Sequence, residues 1–338
     1  MESSQMIGTQ SMAFQRAVYI KGNASVTGPK EGEGPLGEWF DQVEEDALFG
    51  QETWEQAESE MQKRALQFAA QKANLQKKEI RYVFGGDLLA QLTATSFGSE
   101  ESNLPFFGLY GACSTCGESL SLAAMTVAGG FADCAAAVTS SHFASAEKEF
   151  RFPLGYGSQR PLAATWTVTG SGAFLVGSGR GSVRISGVTP GKIVDMGVRD
   201  NMNMGACMAP AACDTICQNL LDFEREPQEY DKIITGDLGM VGKEILLQLA
   251  KDRGFDLSSV HMDCGIEIYD AEKQDTHAGG SGCGCAAVVL SAMILPKVRK
   301  GIWKRVLFVP TGALLSKVSF NEGQTIPGIA HGVVLEHV

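Results

Sequence analysis

The sequence is poor in basic residues and histidine, and it has no long apolar segment. Its 28 lysines and arginines are outnumbered by 39 aspartates and glutamates, so the net charge is −11. This excludes a nucleic-acid-binding protein, which needs a basic face, and it disfavours direct docking on anionic lipid. The longest apolar run, Cys285–Leu295, is shorter than the roughly 20 residues that span a bilayer. We therefore expect no signal peptide and no transmembrane segment, and contact with a membrane only through a partner.

The cysteines follow no disulfide or metal pattern. Their number is odd and the chain is long, so a disulfide scaffold is not expected. Zinc sites need two matched pairs, and Cys213/Cys217 and Cys283/Cys285 do not have that spacing. We expect no metal and no cofactor, and most of these side chains should be small buried groups. The cysteines are Cys113, Cys116, Cys134, Cys207, Cys213, Cys217, Cys264, Cys283 and Cys285.

Segments of the first half of the chain recur in the same order in the second half. This order predicts two pseudo-duplicated halves, residues 1–180 and 181–338. The recurring pairs are Val18–Gly22 with Val183–Gly187, Ile80–Leu88 with Tyr230–Leu238, Gly111–Cys116 with Gly280–Cys285, and Ala135–Ser140 with Val306–Thr311.

Strand-like and helix-like patterns alternate within each half. Apolar residues near a 3.6 period predict a helix over Glu52–Leu75, and Ala209–Phe223 is its counterpart, starting near Pro210. This alternation predicts parallel sheets covered by helices on both faces, stacked in five α/β/α/β/α layers. The aperiodic stretch Phe150–Pro161 is interpreted as an excursion near a pocket or a dimer face.

A glycine-rich turn opens an apolar helix in both halves. In the first of these turns Cys113 is expected to lie against unpaired backbone N–H groups, at the positive end of the helix dipole. That position predicts a lowered thiol pKa and a reactive thiolate. The same N–H groups also attract carboxylates, so a nucleophile and an anion site are both open interpretations.

This turn carries a family resemblance. Tyr110–Leu120 (YGACSTCGESL) resembles the nucleophile turn of the thiolase and β-ketoacyl synthase superfamily, and Thr169–Leu175 (TGSGAFL) resembles its glycine-rich stretch. The resemblance implies a thiolase-like α/β fold of five α/β/α/β/α layers, built from two pseudo-duplicated halves.

Within that superfamily the chain resembles, over nearly its full length, the sporulation proteins that bind dipicolinic acid. That resemblance implies dipicolinic acid as the ligand, membrane channel subunits as partners, a homodimer, and a peripheral position at the forespore or spore inner membrane. It rests on Gly86–Leu89, Gly111–Thr115, Thr139–His142, Met208–Ala212, Asp263–Gly265, Ala278–Cys283 and Ile329–Gly332.

The partners that condensing enzymes of the superfamily use are incomplete. Asp263 or Cys264 stands where a synthase has its histidine, and the Gly280–Cys283 turn has no asparagine. Without donors for the thioester oxygen, the stabilisation of about 3–4 kcal/mol per donor is missing. We therefore expect no catalytic residues and a binding protein. The alternative is an acyl-thioester condensing enzyme in which Cys113 is the nucleophile and His277 a displaced base.

The turns of both halves are expected to face one cavity, where each helix N-terminus receives one carboxylate of the ligand. Asp87 is predicted to line this cavity, where it either binds a calcium-neutralised dipicolinate or accepts a hydrogen bond from a protonated one. In the first case the calcium chelate should bind better than the free acid, and calcium would enter only as part of the ligand. His142 is either a cavity residue or a structural histidine, Arg151 and Arg160 are candidate counter-charges, and Asp237 is interpreted as a turn residue. The predicted ligand-binding residues are Asp87, Cys113, Cys116, His142, Cys264 and Ser281.

Overall fold

The computed structural model describes residues 5–151 and 159–338, and most of their strands belong to one large sheet. The strands are β1 Met6–Ile7, β2 Ser11–Thr27, β3 Gln42–Val43, β4 Val83–Gly86, β5 Phe106–Gly108, β6 Cys134–Ser141, β7 Trp166–Thr167, β8 Gly170–Gly177, β9 Val183–Thr189, β10 Lys232–Thr235, β11 His261–Asp263, β12 Gly280–Ser281, β13 Arg305–Val309, β14 Thr311–Ala313, β15 Gly328–Ala330 and β16 Gly332–His337. The helices are α1 Pro29–Gly32, α2 Trp54–Ala73, α3 Thr93–Glu100, α4 Thr115–Ala128, α5 Phe143–Phe150, α6 Met204–Asp222, α7 Gly239–Asp252, α8 Cys264–Glu267, α9 Cys283–Val289, α10 Leu295–Arg299 and α11 Lys317–Asn321.

The sheet repeats the same strand order in both halves of the chain. From edge to centre the order is β5-β4-β6-β8-β2 in the first half and β11-β10-β13-β16-β9 in the second. The two halves join where β2 pairs antiparallel with β9, with Val18 opposite Ile185. The sequence segments that recur therefore occupy equivalent strands. Because the pairing is continuous across the centre, a domain boundary at residue 180 stays a prediction.

The expectation of purely parallel sheets is wrong for the inner strands. The outer strands of each half pair in parallel, whereas β8 and β16 run antiparallel to both of their neighbours. The reason is the connection. Ser141, at the end of β6, pairs with Gly170 at the start of β8, so the chain returns from the same end of the sheet without a crossover.

Helices cover the sheet in layers, and α4 and α9 form the shared central layer. The core around them contains alanines and valines from both helices together with Phe174 and Phe308 from the strands. Helix α9 packs directly on β8, because a Cβ at Gly172 would lie 2.7 Å from the Cβ of Ala287. Separate apolar clusters lie beneath α2 on one side and beneath α6 and α7 on the other. This is the predicted five-layer order.

The two long outer helices agree with the sequence patterns to different degrees. Helix α2 is confirmed; the Thr53 side chain accepts a hydrogen bond from the Gln56 N–H at its start, and Asn74 ends it in the left-handed conformation. Helix α6 begins five residues before the predicted start. The Asn203 side chain caps it, and Pro210 lies inside the helix. None of the described helices has the length and apolarity that a bilayer crossing requires.

The central layer predicts where the fold is most sensitive to truncation. Phe308 of β13 is fully buried, so Phe308→Ala should lower the free energy of unfolding by about 3–5 kcal/mol. The matched control is Phe131→Ala, because Phe131 is 72% exposed and its removal should leave stability nearly unchanged. Urea denaturation followed by circular dichroism measures both, and equal losses would contradict this description of the core.

Candidate functional site

The glycine-rich turns of the two halves meet at one small cavity, called here the Cys113 cavity. Its volume is about 30 Å³, which is room for about one water molecule. The predicted convergence of the turns is therefore observed, but the space is far smaller than a small-molecule pocket of about 300–1,000 Å³. The cavity is lined by Leu88, Tyr110, Ala112, Cys113, Glu149, Phe150, Thr167, Met204, Ser281, Gly282, Ala313 and Leu315.

The first turn is rigid because its polar groups bond to one another. The Thr115 hydroxyl accepts a hydrogen bond from the Gly111 N–H at 3.0 Å and donates to the Ala112 carbonyl at 2.7 Å. Ala112 has a φ of 49°, which is unusual for a residue with a side chain. Gly312 packs against the turn, and a Cβ there would lie 2.3 Å from the Gly111 carbonyl oxygen. These contacts fix the direction of the Cys113 side chain.

The second turn is fixed by a short strand and by one glycine. Ser281 lies in β12, which pairs with β7 next to Thr167. Gly282 has a φ of 103°, and a Cβ at this position would lie 2.4 Å from the Ser141 hydroxyl oxygen. The turn therefore requires glycine. Cys283 opens α9, and its thiol donates to the Ser140 carbonyl at 2.8 Å.

A buried carboxyl group that the sequence patterns left as a turn residue joins the two turns. Asp237 accepts hydrogen bonds from the Thr311 hydroxyl at 2.7 Å and from the Gly282 N–H at 2.9 Å. The Cys113 thiol also contacts this carboxyl. Burial raises the pKa of Asp237 to about 7, although its hydrogen bonds oppose that shift. The signal in the sequence was the repeat itself, in which Asp237 occupies the position of Asp87.

The expectation of a lowered Cys113 pKa is wrong. Burial raises the pKa of the Cys113 thiol well above its usual value, and the negative charge of Asp237 raises it further. The Gly282 N–H opposes the shift, but the same N–H is already bonded to Asp237. The chain's own carboxyl thus occupies a donor that was expected to bind a ligand carboxylate, and Cys113 is a neutral thiol.

Asp87 and Cys116 are not cavity residues. The Asp87 carboxylate accepts hydrogen bonds from the N–H groups of Leu89 and Thr95, each at 2.7 Å, and from the Thr95 hydroxyl at 2.5 Å. It holds the loop that leads into α3, so the expectation that it lines the cavity is wrong. Cys116 lies within α4 and packs in the central core, where burial raises the pKa of its thiol to about 12.

The structure also places His142 and Cys264 outside the cavity lining. The His142 ring accepts a hydrogen bond from the Ala144 N–H at 3.1 Å, and its other nitrogen contacts the Ala47 carbonyl at 2.8 Å. It is a structural residue that caps α5, and burial lowers its pKa. Cys264 begins α8 and is fully buried in the central core. Of the six predicted residues, Cys113 and Ser281 line the cavity.

The histidine proposed as a displaced base points elsewhere. The His277 ring contacts the Pro161 carbonyl at 3.0 Å and the Asp275 carboxylate at 3.1 Å. It is not among the residues that line the cavity. Arg160 pairs with the same Asp275 at 2.7 Å, so it is not a free counter-charge for a ligand.

The charged side chains around the cavity form ion pairs. Glu149 lies in its wall and pairs with Lys317 at 3.3 Å. Arg151 is buried and forms an ion pair with Glu147, and Glu147 also accepts a hydrogen bond from the lining residue Thr167. Residues 152–158 of the predicted excursion Phe150–Pro161 lie outside the described residues. Its first residue, Phe150, lines the cavity. No group of three histidine, cysteine, aspartate or glutamate side chains in the described ranges is arranged to hold a metal ion.

The fold and the paired turns define a protein of the thiolase and β-ketoacyl synthase fold. Solved structures with this fold include 3-oxoacyl-[acyl-carrier-protein] synthase III of Aquifex aeolicus, with a TM-score of 0.58 and 14% identity over 95% of this chain and 100% of that one. Another is OleA of Xanthomonas campestris, with a TM-score of 0.61 and 17% identity over 96% and 99% of the two chains. At these identities the likeness shows the fold alone.

Sequence comparison identifies the family more narrowly. The family model described as stage V sporulation protein AD matches residues 8–336. The stage V sporulation protein AD of Bacillus subtilis (strain 168) is 43% identical over 332 residues, which cover 98% of each chain. The chain belongs to the stage V sporulation protein AD family, and the predicted resemblance is confirmed.

Asp237 makes the stability of the protein depend on pH in a defined direction. Its pKa is about 7 in the folded state, against 3.8 for an unperturbed aspartate, so the folded carboxyl binds its proton more tightly. Its contribution to the free energy of unfolding is complete below pH 3.8 and is lost as the pH rises through about 7. Asp237→Asn should remove this pH-dependent decrease in the free energy of unfolding. The decrease amounts to a few kcal/mol, because each unit of pKa shift corresponds to about 1.4 kcal/mol.

Chemical denaturation of both proteins between pH 4 and pH 8 measures that difference. The control is Asp252→Asn, which changes an exposed carboxyl on α7 whose hydrogen bond to Gln248 lies at the surface. Parallel profiles for the wild type and Asp237→Asn would contradict the buried position of this carboxyl.

Proposed function

We propose that this protein is a non-catalytic binding protein for dipicolinic acid that takes the ligand as its calcium chelate. In this role it assists uptake of the ligand into the forespore and its release at germination, together with membrane channel subunits at the inner membrane. The observation that carries the proposal is the Cys113 cavity. Two backbone turns converge there on a thiol whose ionisation is opposed by burial and by the Asp237 carboxyl.

The chemistry of Cys113 supports binding rather than acyl transfer. A condensing enzyme needs a thiolate and donors for the thioester oxygen. A Cys113 thiolate would lie against the Asp237 carboxyl, so the like charges and the burial both oppose its formation. The Gly282 N–H already donates to Asp237, and His277 bonds to Pro161 and Asp275. Gly282 is therefore not a free oxyanion donor, and His277 is not placed as a base for Cys113.

The charges around the cavity favour the chelate over the free acid. Free dipicolinate carries two negative charges, but Arg151 and Arg160 are already paired with Glu147 and Asp275. It would meet the Glu149–Lys317 pair in the cavity wall and the Asp237 carboxyl behind it. Calcium neutralises the ligand and prefers carboxylate oxygen ligands, which Glu149 supplies. In this proposal Glu149, and not the predicted Asp87, is the carboxylate that contacts the calcium of the chelate.

Binding must open the cavity, because about 30 Å³ does not hold a pyridine ring. The lining includes side chains that are not fully buried. Tyr110 is 47% exposed, and Phe150 and Met204 are half-buried. The proposal therefore includes displacement of these side chains by the ligand.

Titration calorimetry tests the ligand and its charge state. The calcium chelate should bind at least about tenfold more tightly than free dipicolinate, which corresponds to about 1.4 kcal/mol. Glu149→Gln should narrow that ratio, because it removes the wall charge. Ser281→Leu should abolish binding, because the added side chain fills the cavity, whereas Ser96→Leu, an exposed control on α3, should not.

Two results would contradict this proposal. The first is equal affinity for the ligand with and without calcium in the wild type. The second is acyl transfer from a coenzyme A thioester that disappears in Cys113→Ala, because that result would support the condensing-enzyme alternative.

We also propose that the protein forms a homodimer through the edge strand β5. The outer side of β5 has no strand partner within the described chain, and Phe106, Phe107 and Gly108 are all exposed. The hydrogen bonds between β4 and β5 use the peptide groups of Pro105 and Leu109, which pair with Val83 and Gly85 of β4. Because peptide groups alternate in direction along a strand, those of Phe106 and Gly108 point away from β4, toward the open side of the edge. An exposed apolar edge of this kind supports pairing with a second copy.

A proline substitution separates edge pairing from folding. Phe106→Pro removes one outward N–H and should shift the protein from dimer to monomer by at least about tenfold in dissociation constant, since edge strands tolerate proline. Phe106→Thr keeps the N–H and is the control. Light scattering coupled to size-exclusion chromatography measures the mass. A monomeric wild type, or equal weakening by both variants, would contradict the proposed interface.

A further inference from the structure

A second concave site is formed by residues of both halves of the chain, and it shares no lining residue with the Cys113 cavity. It is a largely apolar groove of about 280 Å³ beside the π-helical turn Leu290–Ile294 and the start of α10. We call it the basic–apolar groove. It is lined by Leu36, Trp39, Ala292, Met293, Pro296, Lys297, Lys300 and Ile302.

The groove is bordered by the strongest local positive charge in an otherwise acidic chain. Residues 297–305 (KVRKGIWKR) contain five basic residues and no acidic one, against a net charge of −11 for the whole chain. Arg299 and Arg305 are engaged, because Arg299 donates to Asn23 and Arg305 pairs with Glu336.

The two lysines that line the groove are not neutralised. In the part of the chain that the structure describes, neither Lys297 nor Lys300 forms an ion pair with a carboxylate. Lys297 lies 4.5 Å from the centre of the Trp303 ring, which leaves its charge in place. Since acidic side chains are abundant elsewhere, this pair of uncompensated lysines is complementary to an anionic partner.

Two large apolar side chains project from the rim of the same groove. Trp39 is 59% exposed at the end of a short 3₁₀ helix, Gly37–Trp39, and Ile302 is 61% exposed in the turn after α10. Removing such apolar surface from water is favourable, so both side chains favour an apolar partner. Tryptophan and lysine together are typical of protein surfaces at the boundary between lipid and water.

We propose that the basic–apolar groove docks on the surface of an anionic phospholipid bilayer. Lys297 and Lys300 contact the lipid phosphates, and Trp39 and Ile302 insert between the headgroups. This proposal departs from the expectation of membrane contact only through a partner, which was based on the net charge of −11. Charges farther than about 8 Å from the surface are screened at physiological ionic strength, so the local lysines outweigh the net charge of the chain. The contact is independent of what binds in the Cys113 cavity, and it would bring a chain without a described membrane-spanning helix to the membrane.

Flotation of the full-length protein with lipid vesicles tests the proposal. The wild type should float with vesicles that contain phosphatidylglycerol and not with vesicles of phosphatidylcholine alone, and the bound fraction should fall as salt is raised. Lys297→Glu/Lys300→Glu should weaken binding at least about tenfold, since each lysine near an anionic surface contributes about 1 kcal/mol. Lys78→Glu/Lys251→Glu has the same charge change at lysines outside the groove and should bind like the wild type.

A second variant distinguishes loss of lipid binding from misfolding. Ile302→Ser changes an exposed side chain and should reduce binding while the melting temperature stays that of the wild type. Binding should also shift the tryptophan emission of the wild type to shorter wavelength, and this shift should be lost in Trp39→Phe.

Three outcomes would overturn the inference. They are no flotation of the wild type with phosphatidylglycerol vesicles at low salt, equal binding to phosphatidylcholine vesicles, and equal loss of binding in the Lys78→Glu/Lys251→Glu control. The first would leave an acidic protein partner as the occupant of the groove.

Discussion

The buried Asp237 carboxyl is the contact on which the site depends. It follows β10, accepts a hydrogen bond from Thr311 at the start of β14, and binds the backbone of the second turn at Gly282, with the Cys113 thiol of the first turn beside it. One side chain thus connects the two halves of a duplicated fold at the place where enzymes of that fold are expected to hold their reacting group. A carboxyl in this position stabilises the arrangement and at the same time disfavours a thiolate.

The same constraint is the physical basis of the proposed role as a binding protein and not a catalyst. Rate acceleration requires donors that are free until charge develops on the substrate. Here the Gly282 donor is satisfied in the resting protein, and the cavity holds about one water molecule. Under the proposed function, the ligand displaces side chains of the cavity and binds with its negative charge reduced by calcium.

Much of the fold was predictable because the signals were local or repeated. The four recurring segments marked equivalent strands and turns, and the apolar period of α2 gave its bounds within two residues. The direction of β8 and β16 was not predictable in this way, because it depends on where long connections return. The site was predicted in part. Cys113 and Ser281 lie on the repeated turns, whereas Asp87, Cys116, His142 and Cys264 satisfy other parts of the structure.

The sequence by itself determined the duplication, the family and the two turns, because these depend on residue order along the chain. Only the tertiary structure decided that the Cys113 thiol is neutral, that Asp237 occupies a ligand donor, and that Lys297 and Lys300 border an apolar groove. The physical reason is that pKa values and free hydrogen-bond donors depend on burial and on neighbours that are distant in sequence. Cys113 and Asp237, for example, come from different halves of the chain and meet only after folding.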